Sequence, residues 1–475
     1  MSTYTSTRRS FLKASLAAGA FPFISGCHFF GGALKGKDLV NVAMIGVGAR
    51  GLENLDSFTR TKRCRFVAFA DTEMRGEWTL KARQKYPTVP CYEDFRVLLD
   101  KHAHELDAVI VSTPDFSHFT ACMAAMQAGL SVYTEKPMGN SFREIEIMMA
   151  MAKKNPQLVT QMGNQGHSLA NYYQAKEMAA KGMLNGVNKV VAHMNWARRW
   201  HKWNGSVKEM FPAGEAVPAD LAFDLWLSQR PERPYNKNYI HGDWRCFYEY
   251  GNGALGDWGA HTFDTAWEFL NLGLPEKISV INMKGWTPVV FPMSSALAFH
   301  FPARSKEMPA CDLEWWEGIG NFPELPQGFD TGVKGDTPSI GGVQQAKVAA
   351  LNPGREIYFA DGCAYQGASH GAELVSCNGE KLPSVKGQVR EGADTLEHAI
   401  NFLEAVKGTT KATSPFEVAG PLSQVMTLGC IAQKLNTNLS FDREAKRFVG
   451  ADADAANLLL EGPAPRKGWE GFYRV

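Results

Sequence analysis

The chain has 475 residues, of which 45% are hydrophobic, 11% aromatic and 21% charged. This composition excludes a disordered, collagen-like or coiled-coil protein, and at about 150 residues per domain the length predicts two or three domains. Fifty basic and 49 acidic residues give a net charge of +1, so we expect no nucleic-acid partner. The nine cysteines form no CxxC pair and show no zinc-type spacing, which argues against a disulfide scaffold or a zinc ribbon.

Residues 1–27 are predicted to be an export signal. The stretch from Thr7 to Lys13 carries paired arginines and resembles a twin-arginine signal. The apolar stretch from Ala14 to Ile24 is only eleven residues long, whereas a membrane-spanning helix needs about 20. Cys27 follows it as the cysteine of a lipoprotein does, although a plain signal with an incidental cysteine remains the alternative. We expect export by the twin-arginine translocase to a periplasmic location, with a lipid on Cys27 as the only membrane anchor.

A dinucleotide site is predicted at the start of the mature chain. An apolar run over 39–45 indicates a buried parallel strand, and a GxGxxG motif with a helix-like segment follows it, formed by Gly46, Gly48 and Gly51. Glycines there allow a tight turn and let backbone N–H groups approach a pyrophosphate. The next strand ends at Asp71, twenty residues after Gly51. A carboxylate at that position accepts hydrogen bonds from ribose hydroxyls and repels a 2′-phosphate, which favours NAD, while Arg50 keeps NADP as the less favoured cofactor.

Two further strands carry polar residues at their carboxyl ends. The strand over 106–111 runs into Thr113, Pro114 and His118, and the strand over 131–134 runs into Glu135 and Lys136. A helix from Phe119 to Ala128 separates them, so the order is strand, helix, strand. Parallel sheets of this kind bind ligands at the carboxyl ends of their strands. A salt-bridged surface lysine is the plain alternative for Lys136.

Asp257 and His261 form a candidate pair farther along the chain. They are four residues apart, so on a helix they share one face. A histidine suits proton removal because its ordinary pKa is near 6.5. A capping acid with a buried structural histidine is the alternative, and no further ligands cluster with the pair, so we expect no metal. Just upstream, Trp244 and Arg245 are weaker candidates for substrate contact.

Taken in order, these motifs resemble the Gfo/Idh/MocA family of NAD(P)-dependent sugar oxidoreductases. The resemblance implies an α/β chain: an N-terminal Rossmann domain with a doubly wound parallel sheet, then an α+β domain with a large, open, mostly antiparallel sheet, and a homo-oligomer. It also implies a catalytic group of Lys136, Asp257 and His261. The residues that it would place around the cofactor are Arg50, Asp71, His118, Glu135, Lys136 and Asn164.

The sequence predicts four segments: the signal over 1–27, the Rossmann domain over 38–160, the substrate and oligomerisation domain over 161–440, and an irregular tail over 441–475. The glycine- and proline-rich stretch 303–354 is predicted to be a long irregular excursion. The stretch 196–203 mixes tryptophans with cationic side chains. Stacking on a sugar ring and a packed loop remain equal alternatives for it.

The leading functional hypothesis is an exported NAD-dependent oxidoreductase that acts on a carbohydrate or cyclitol hydroxyl. Because no pool of free NAD is expected outside the cytoplasm, the cofactor should stay bound and be regenerated within each cycle. The alternative is an NAD-dependent glycoside hydrolase, in which transient oxidation at C3 acidifies the C2 proton and allows elimination. The second alternative is a non-catalytic sugar-binding lipoprotein. The non-catalytic hypothesis ranks last, because it requires loss of Lys136, Asp257 and His261, and all three are present.

Overall fold

The computed structural model describes residues 38–195, 211–240, 243–318, 320–324, 354–359, 364–368, 374–377, 380–382 and 396–475. The predicted signal with Cys27 and the aromatic, cationic stretch 196–203 lie outside these residues, so the predictions made for them stay predictions. Within the described ranges, no helix has the length and apolar character needed to cross a membrane.

The first domain is built on six parallel strands in the order β3-β2-β1-β4-β5-β6. The strands are β1 (Val40–Ile45), β2 (Cys64–Ala70), β3 (Cys91–Tyr92), β4 (Ala108–Val111), β5 (Ser131–Thr134) and β6 (Thr160–Met162). The helices between them are α1 (Ala49–Thr61), α2 (Glu77–Lys85), α3 (Phe95–His102), α4 (His118–Gln127) and α5 (Phe142–Lys154). The central strands are apolar along nearly their whole length because helices cover both faces of the sheet. This sheet confirms the predicted Rossmann architecture.

Local sequence explains where the helices of this domain begin. The Asp94 carboxylate accepts a hydrogen bond from the backbone N–H of Arg96 at the start of α3. The Ser141 hydroxyl does the same for the N–H of Glu144 at the start of α5. Such N-caps satisfy N–H groups that have no partner inside the helix. In contrast, Gly48 precedes α1 and provides no side-chain cap, so the first N–H groups of α1 remain available to a ligand.

The second domain contains a ten-stranded mixed sheet in the order β14-β13-β12-β11-β7-β10-β9-β8-β15-β16. Only the pairing of β7 with β10 is parallel among its described ladders, which confirms the expected open, mostly antiparallel sheet. Its strands are β7 (Lys189–Met194), β8 (Lys277–Lys284), β9 (Ser294–Phe301), β10 (Cys311–Glu317), β11 (Gly354–Tyr358), β12 (Ala364–Ala368), β13 (Leu374–Cys377), β14 (Glu380–Leu382), β15 (Leu439–Asp442) and β16 (Arg447–Val449).

One long helix, Phe416–Leu435, packs against both α5 of the Rossmann domain and β8 of the large sheet. It is one of the helices of the second domain. These helices are α6 (Ala170–Ala180), α7 (Phe223–Leu227), α8 (Gly253–Thr262), α9 (Asp264–Phe269), α10 (Leu396–Val406), α11 (Phe416–Leu435) and α12 (Ala453–Glu461). One continuous hydrophobic cluster joins both domains and includes Val109 and Ile145 from the first and Leu255, Leu297 and Val425 from the second. The helix that carries Asp257 and His261 is therefore fixed against the Rossmann domain.

Two sequence-based predictions about the fold are wrong. The tail over 441–475 is not irregular, since it holds β16 and α12 and ends in a short 3-10 helix over Glu470–Tyr473. The stretch 303–354 is not wholly an irregular excursion, because β10 lies within it and pairs with both β7 and β9. In both places the packing of neighbouring elements outweighed the local glycine and proline content.

Candidate active site

The glycine motif closes a tight turn between β1 and α1. Gly46 has a φ of +84°, and a Cβ atom on it would lie 2.8 Å from the backbone of Ser112. A Cβ atom on Gly51 would lie 2.2 Å from the carbonyl oxygen of Gly46. A Cβ atom on Gly48, by contrast, would meet nothing within 4 Å. Two of the three glycines are thus required by the packing of the turn, and Gly48 faces open space at the start of α1.

Asp71 lies at the carboxyl end of β2 and is bonded to the same turn. Its Oδ2 accepts a hydrogen bond from the N–H of Val47 at 2.8 Å, and its Oδ1 accepts one from the N–H of Glu73 at 3.0 Å. Burial raises the pKa of Asp71, and these N–H groups oppose the shift. The carboxylate therefore holds the glycine turn in place at the edge where the ribose of a dinucleotide is expected.

Arg50, Asn54 and Glu135 form a polar group beside the glycine turn. The Nε of Arg50 lies 2.9 Å from Oε1 of Glu135, and the amide of Asn54 donates to the same oxygen at 2.9 Å. Burial alone would raise the pKa of Glu135, but Arg50 and Asn54 more than offset it and the pKa is lowered. Glu135 is therefore a buried carboxylate that is held in place directly before Lys136.

Lys136 contacts the helix that carries Asp257 and His261. Its Nζ donates to Oδ1 of Asp257 at 2.8 Å and to the carbonyl oxygen of the same residue at 2.5 Å. Burial lowers the pKa of Lys136, Asp257 opposes this, and the nearby guanidinium of Arg245 adds to the lowering. His261 lies one turn after Asp257 on α8, is 8% exposed and packs its ring against Trp258. Lys136 and Asp257 of the predicted trio are in direct contact, and His261 lies on the same helix as Asp257.

The guanidinium of Arg245 lies close to two carboxylates, those of Asp115 and Asp257. Its guanidinium lies 2.8 Å from Oδ1 of Asp115 and 3.6 Å from Oδ1 of Asp257, and it stacks on the ring of Trp244 at 4.3 Å. Asp115 is fully buried and also accepts from the side-chain amide of Asn252 at 3.1 Å. The sequence motifs assigned no role to Asp115. Its position one residue after Pro114, at a strand end, was the signal that could have found it.

Two residues predicted to line the cofactor form hydrogen bonds within the protein. The ring nitrogens of His118 lie 2.9 Å from the carbonyl oxygen of Pro137 and 2.8 Å from that of Thr113. Asn164 is fully buried, with its amide bonded to Asp264 and Ser414. The polar atoms of both residues thus have partners inside the protein, and their predicted place beside the cofactor stays a prediction.

The arrangement fits a dinucleotide bound along the carboxyl edge of the first sheet. Uncapped N–H groups at the start of α1 and the open space over Gly48 suit a pyrophosphate. Thr113 and Pro114 lie half-buried at the end of β4. The hydroxyl oxygen of Thr113 is buried without a hydrogen-bond partner in the described part of the chain, so a ligand group there would satisfy it. Across the described ranges, no three histidine, cysteine or acidic side chains are grouped as metal ligands.

The fold and this edge define a two-domain protein of the dinucleotide-binding class. The profile described as oxidoreductase family, NAD-binding Rossmann fold, of the Gfo/Idh/MocA group, matches residues 40–162. The profile of its C-terminal alpha/beta domain matches residues 170–281. The chain belongs to the Gfo/Idh/MocA oxidoreductase family, and its first domain is the NAD(P)-binding Rossmann fold of that family.

Curated relatives match over part of their length. Glycosyl hydrolase family 109 protein 2 of Shewanella sp. strain ANA-3 is 31% identical over 164 residues, which is 29% of this chain and 35% of the relative. Inositol 2-dehydrogenase/D-chiro-inositol 3-dehydrogenase of Lactiplantibacillus plantarum is 24% identical over 146 residues, 31% of this chain and 41% of the relative. The chain thus spans well under half of these two relatives.

Solved structures share the fold over most of the chain. Aldose-aldose oxidoreductase from Caulobacter crescentus, complexed with glycerol, aligns with a TM-score of 0.55 at 14% identity and covers 85% of this chain and all of its own. A dehydrogenase from Chromobacterium violaceum aligns with a TM-score of 0.53 at 15% identity and covers 84% of this chain and 97% of its own. At these identities the likeness concerns the fold.

Proposed function

We propose that the protein is an NAD-dependent oxidoreductase that acts on a hydroxyl group of a carbohydrate or cyclitol. The observation that carries this proposal is the contact of Lys136 with Asp257 at the carboxyl edge of the dinucleotide-binding sheet. A relative named as an inositol dehydrogenase supports the substrate class. Such a reaction needs an aligned hydride acceptor, a group that removes the hydroxyl proton, and a group that stabilises charge on oxygen.

The chain's own residues supply the second and third requirements. A bound nicotinamide dinucleotide would supply the hydride acceptor. His261 takes the hydroxyl proton of the substrate in this proposal, because an imidazole titrates near working pH. Lys136 donates a hydrogen bond to the reacting oxygen and stabilises its developing negative charge. Asp257 holds the Lys136 ammonium by its carboxylate and its backbone carbonyl, which keeps this long side chain in one orientation before substrate arrives.

The carboxylate of Asp71 favours NAD as the cofactor. The carboxylate of Asp71 lies at the end of β2, where it would repel a 2′-phosphate. Arg50 is paired with Glu135 and Glu53, so its charge is already balanced. These contacts support NAD over NADP.

The N-terminal sequence supports an exported enzyme with a retained cofactor. Its paired arginines, Arg8 and Arg9, are typical of a route that carries folded proteins, so NAD bound before export would travel with the chain. The proposed location is the periplasm, with Cys27 as a lipid anchor and a homo-oligomer as the assembled form. A cofactor held in this way must be restored within each catalytic cycle.

The relatives named glycosyl hydrolase family 109 favour a second candidate, an NAD-dependent glycoside hydrolase. Oxidation of the sugar at C3 makes the proton on C2 acidic, and its removal expels the aglycone from C1. Water then adds to the unsaturated sugar, and the C3 carbonyl is reduced again. This cycle is redox-neutral, as a retained cofactor requires, and it uses the same Lys136 and His261.

One experiment separates the two candidates. The purified protein is incubated with a panel of nitrophenyl glycosides and, separately, with free aldoses, in both cases without added NAD. Aglycone release supports the glycoside hydrolase. An aldonate that appears together with an alditol supports the oxidoreductase, because one aldose is then oxidised while another is reduced by the retained cofactor. Mass spectrometry of the denatured protein should find one NAD per chain in either case. Absence of both activities and of bound NAD would contradict the proposed function.

A further inference from the structure

A second cavity lies apart from the catalytic group. It has a volume of about 380 Å³ and is bounded by the starts of α5 and α8 and the ends of α11 and α12. Asn252, immediately before α8, lies in its wall, whereas Lys136, Asp257 and His261 are not among its lining residues. The volume is within the range of small-molecule sites in proteins. The cavity is therefore a candidate ligand site independent of the proposed reaction.

Among the charged side chains that line this cavity, one cation has no ion-pair partner within the described residues. Arg230 is paired with Glu144 at 3.0 Å, and Arg233 with Oε2 of Glu249 at 2.7 Å. Lys434 also lines the cavity, and no carboxylate of the described residues lies within ion-pair distance of it. Its ammonium lies 5.5 Å from the ring centroid of Tyr248, another lining residue. Burial lowers the pKa of Lys434 and Glu249 partly opposes this, so an added anion would stabilise the charged form.

The cavity also holds an acceptor without a donor. While Oε2 of Glu249 is bonded to Arg233, its Oε1 is buried and has no hydrogen-bond partner in the described ranges. A buried carboxylate oxygen that lacks a donor destabilises the folded protein. A ligand hydroxyl would satisfy it. The remaining walls are largely apolar, formed in part by Phe211, Val289, Ile431 and Leu459.

We propose that this cavity binds a small hydroxylated carboxylate, such as a six-carbon sugar acid. The ligand's carboxylate pairs with the ammonium of Lys434, and one of its hydroxyls donates to Oε1 of Glu249. The carbon chain lies against the apolar walls. A neutral sugar would leave Lys434 unpaired, and an alkyl carboxylate of the same length would leave Glu249 without a donor. The occupant is thus defined by two groups that the fold leaves unsatisfied.

The test is isothermal titration of the full chain with sodium gluconate, with glucose and sodium hexanoate as matched probes. We expect saturable binding of gluconate, with both comparison probes at least about tenfold weaker, a difference of about 1.4 kcal/mol. Lys434→Met should weaken gluconate binding by at least the same factor. The control Lys153→Met changes an exposed lysine at the end of α5 and should leave binding unchanged. Equal binding of glucose or hexanoate, or no binding of gluconate, overturns the proposal.

A second measurement locates the ligand without relying on a variant that must fold. Hydrogen exchange followed by mass spectrometry, with and without gluconate, should show protection at the end of α11, which carries Lys434, and around Glu249. Protection confined to the segments of Lys136 and His261 would place the acid in the catalytic cleft instead and overturn the proposal. Gluconate should also bind the Lys136→Met variant with unchanged affinity, so failure of the proposed reaction and failure of this site are distinguishable.

Discussion

The ammonium of Lys136 lies 2.8 Å from Oδ1 of Asp257, although 121 positions separate the two residues in the chain. Lys136 follows the end of β5, and Asp257 lies on α8 of the second domain. The pair therefore ties the two domains at the edge where the dinucleotide is expected. Because Lys136 is 13% and Asp257 3% exposed at the side chain, the contact is shielded from solvent, and electrostatic interactions within it are stronger than at a surface.

Replacing Lys136 with methionine should abolish most catalysis while leaving the cofactor bound. The variant keeps the length of the side chain but has no ammonium to stabilise charge on the substrate oxygen. Loss of one such donor costs about 10²–10³-fold in kcat. The rate is measured with the glycoside or aldose that proves active, and NAD content by mass spectrometry. Full activity in Lys136→Met would instead contradict the proposed role of Lys136 in stabilising charge on the substrate oxygen, and Lys153→Met serves as the neutral comparison.

Two alanine substitutions in the glycine motif should affect two different properties, folding stability in one variant and NAD binding in the other. Gly51→Ala places a Cβ atom 2.2 Å from the carbonyl oxygen of Gly46, and overpacking of this kind costs about 1–3 kcal/mol of folding free energy. Gly48→Ala meets no protein atom within 4 Å, so it should leave stability unchanged. Its methyl group would occupy the open space at the start of α1 and reduce the amount of bound NAD.

The comparison is made by urea unfolding and by the NAD content of each purified variant. A Gly48→Ala protein that retains the normal amount of NAD would mean that the pyrophosphate does not lie over this residue. A Gly51→Ala protein of normal stability would mean that the turn can relax around the added methyl group.

Cofactor preference should shift when Asp71 is replaced. Asp71→Ser removes the negative charge that repels a 2′-phosphate and keeps a short side chain with an oxygen acceptor for the N–H of Val47. We expect the affinity for NADP relative to NAD to rise at least about tenfold, since two unit charges at close range interact by about 4 kcal/mol near a protein surface. Both affinities are measured by fluorescence titration of protein freed of NAD. Asp56→Ser, on the exposed side of α1, should leave the ratio unchanged.

A buried pair of a histidine and a carboxylate should make the free energy of unfolding depend on pH. His167 is fully buried, and its Nε2 contacts Oδ1 of Asp264, with Oε2 of Glu268 at 3.6 Å. Burial alone would lower the pKa of His167, but Asp264 and Glu268 raise it to about 9. Because the folded protein binds this proton more tightly than the unfolded chain, the contribution is complete below pH 6.5, the ordinary pKa of histidine, and is lost as the pH rises through 9.

The measurement is the free energy of unfolding in urea from pH 6 to pH 10, for the wild type and His167→Gln. The difference between the two should be largest near pH 6 and should shrink steadily up to pH 9. The exposed His104 supplies the control, since His104→Gln should follow the wild type throughout. A difference that stays constant over this range would show that His167 is not protonated in the folded protein.

The carboxyl edge of the first sheet is predictable from sequence because chain order determines it. In a strand-helix-strand unit, residues that follow strands meet at one edge, so the order of the motifs alone places Gly46, Asp71 and Lys136 together. Asp257 can be assigned to the same site only through the family resemblance, because nothing in local sequence brings a helix of a second domain to that edge.

The orientation of a side chain is harder to predict from sequence than its place at the edge of the sheet. His118 and Asn164 are in motif positions next to the site, yet their polar atoms bind Pro137 and Asp264 inside the protein. A motif gives residue type and place, whereas the partner of a buried polar atom depends on elements far away in the chain. Strand β10 was missed for a related reason, since glycines and prolines on both sides of Cys311–Glu317 concealed its alternating buried and accessible residues.

The C-terminal segment, for which the sequence predicts an irregular tail, should contribute measurably to stability. The hydroxyl of Tyr473 donates to Oε1 of Glu144 at 2.6 Å, and Glu144 in turn holds Arg230 in a buried ion pair. Burial raises the pKa of Tyr473, so it remains a donor at ordinary pH. Tyr473→Phe removes a hydrogen bond to a charged group, worth about 1.5–3 kcal/mol, and should lower the urea midpoint. Arg474→Ala alters only an exposed neighbour, and an equal loss in both variants would mean that the hydrogen bond is not the cause.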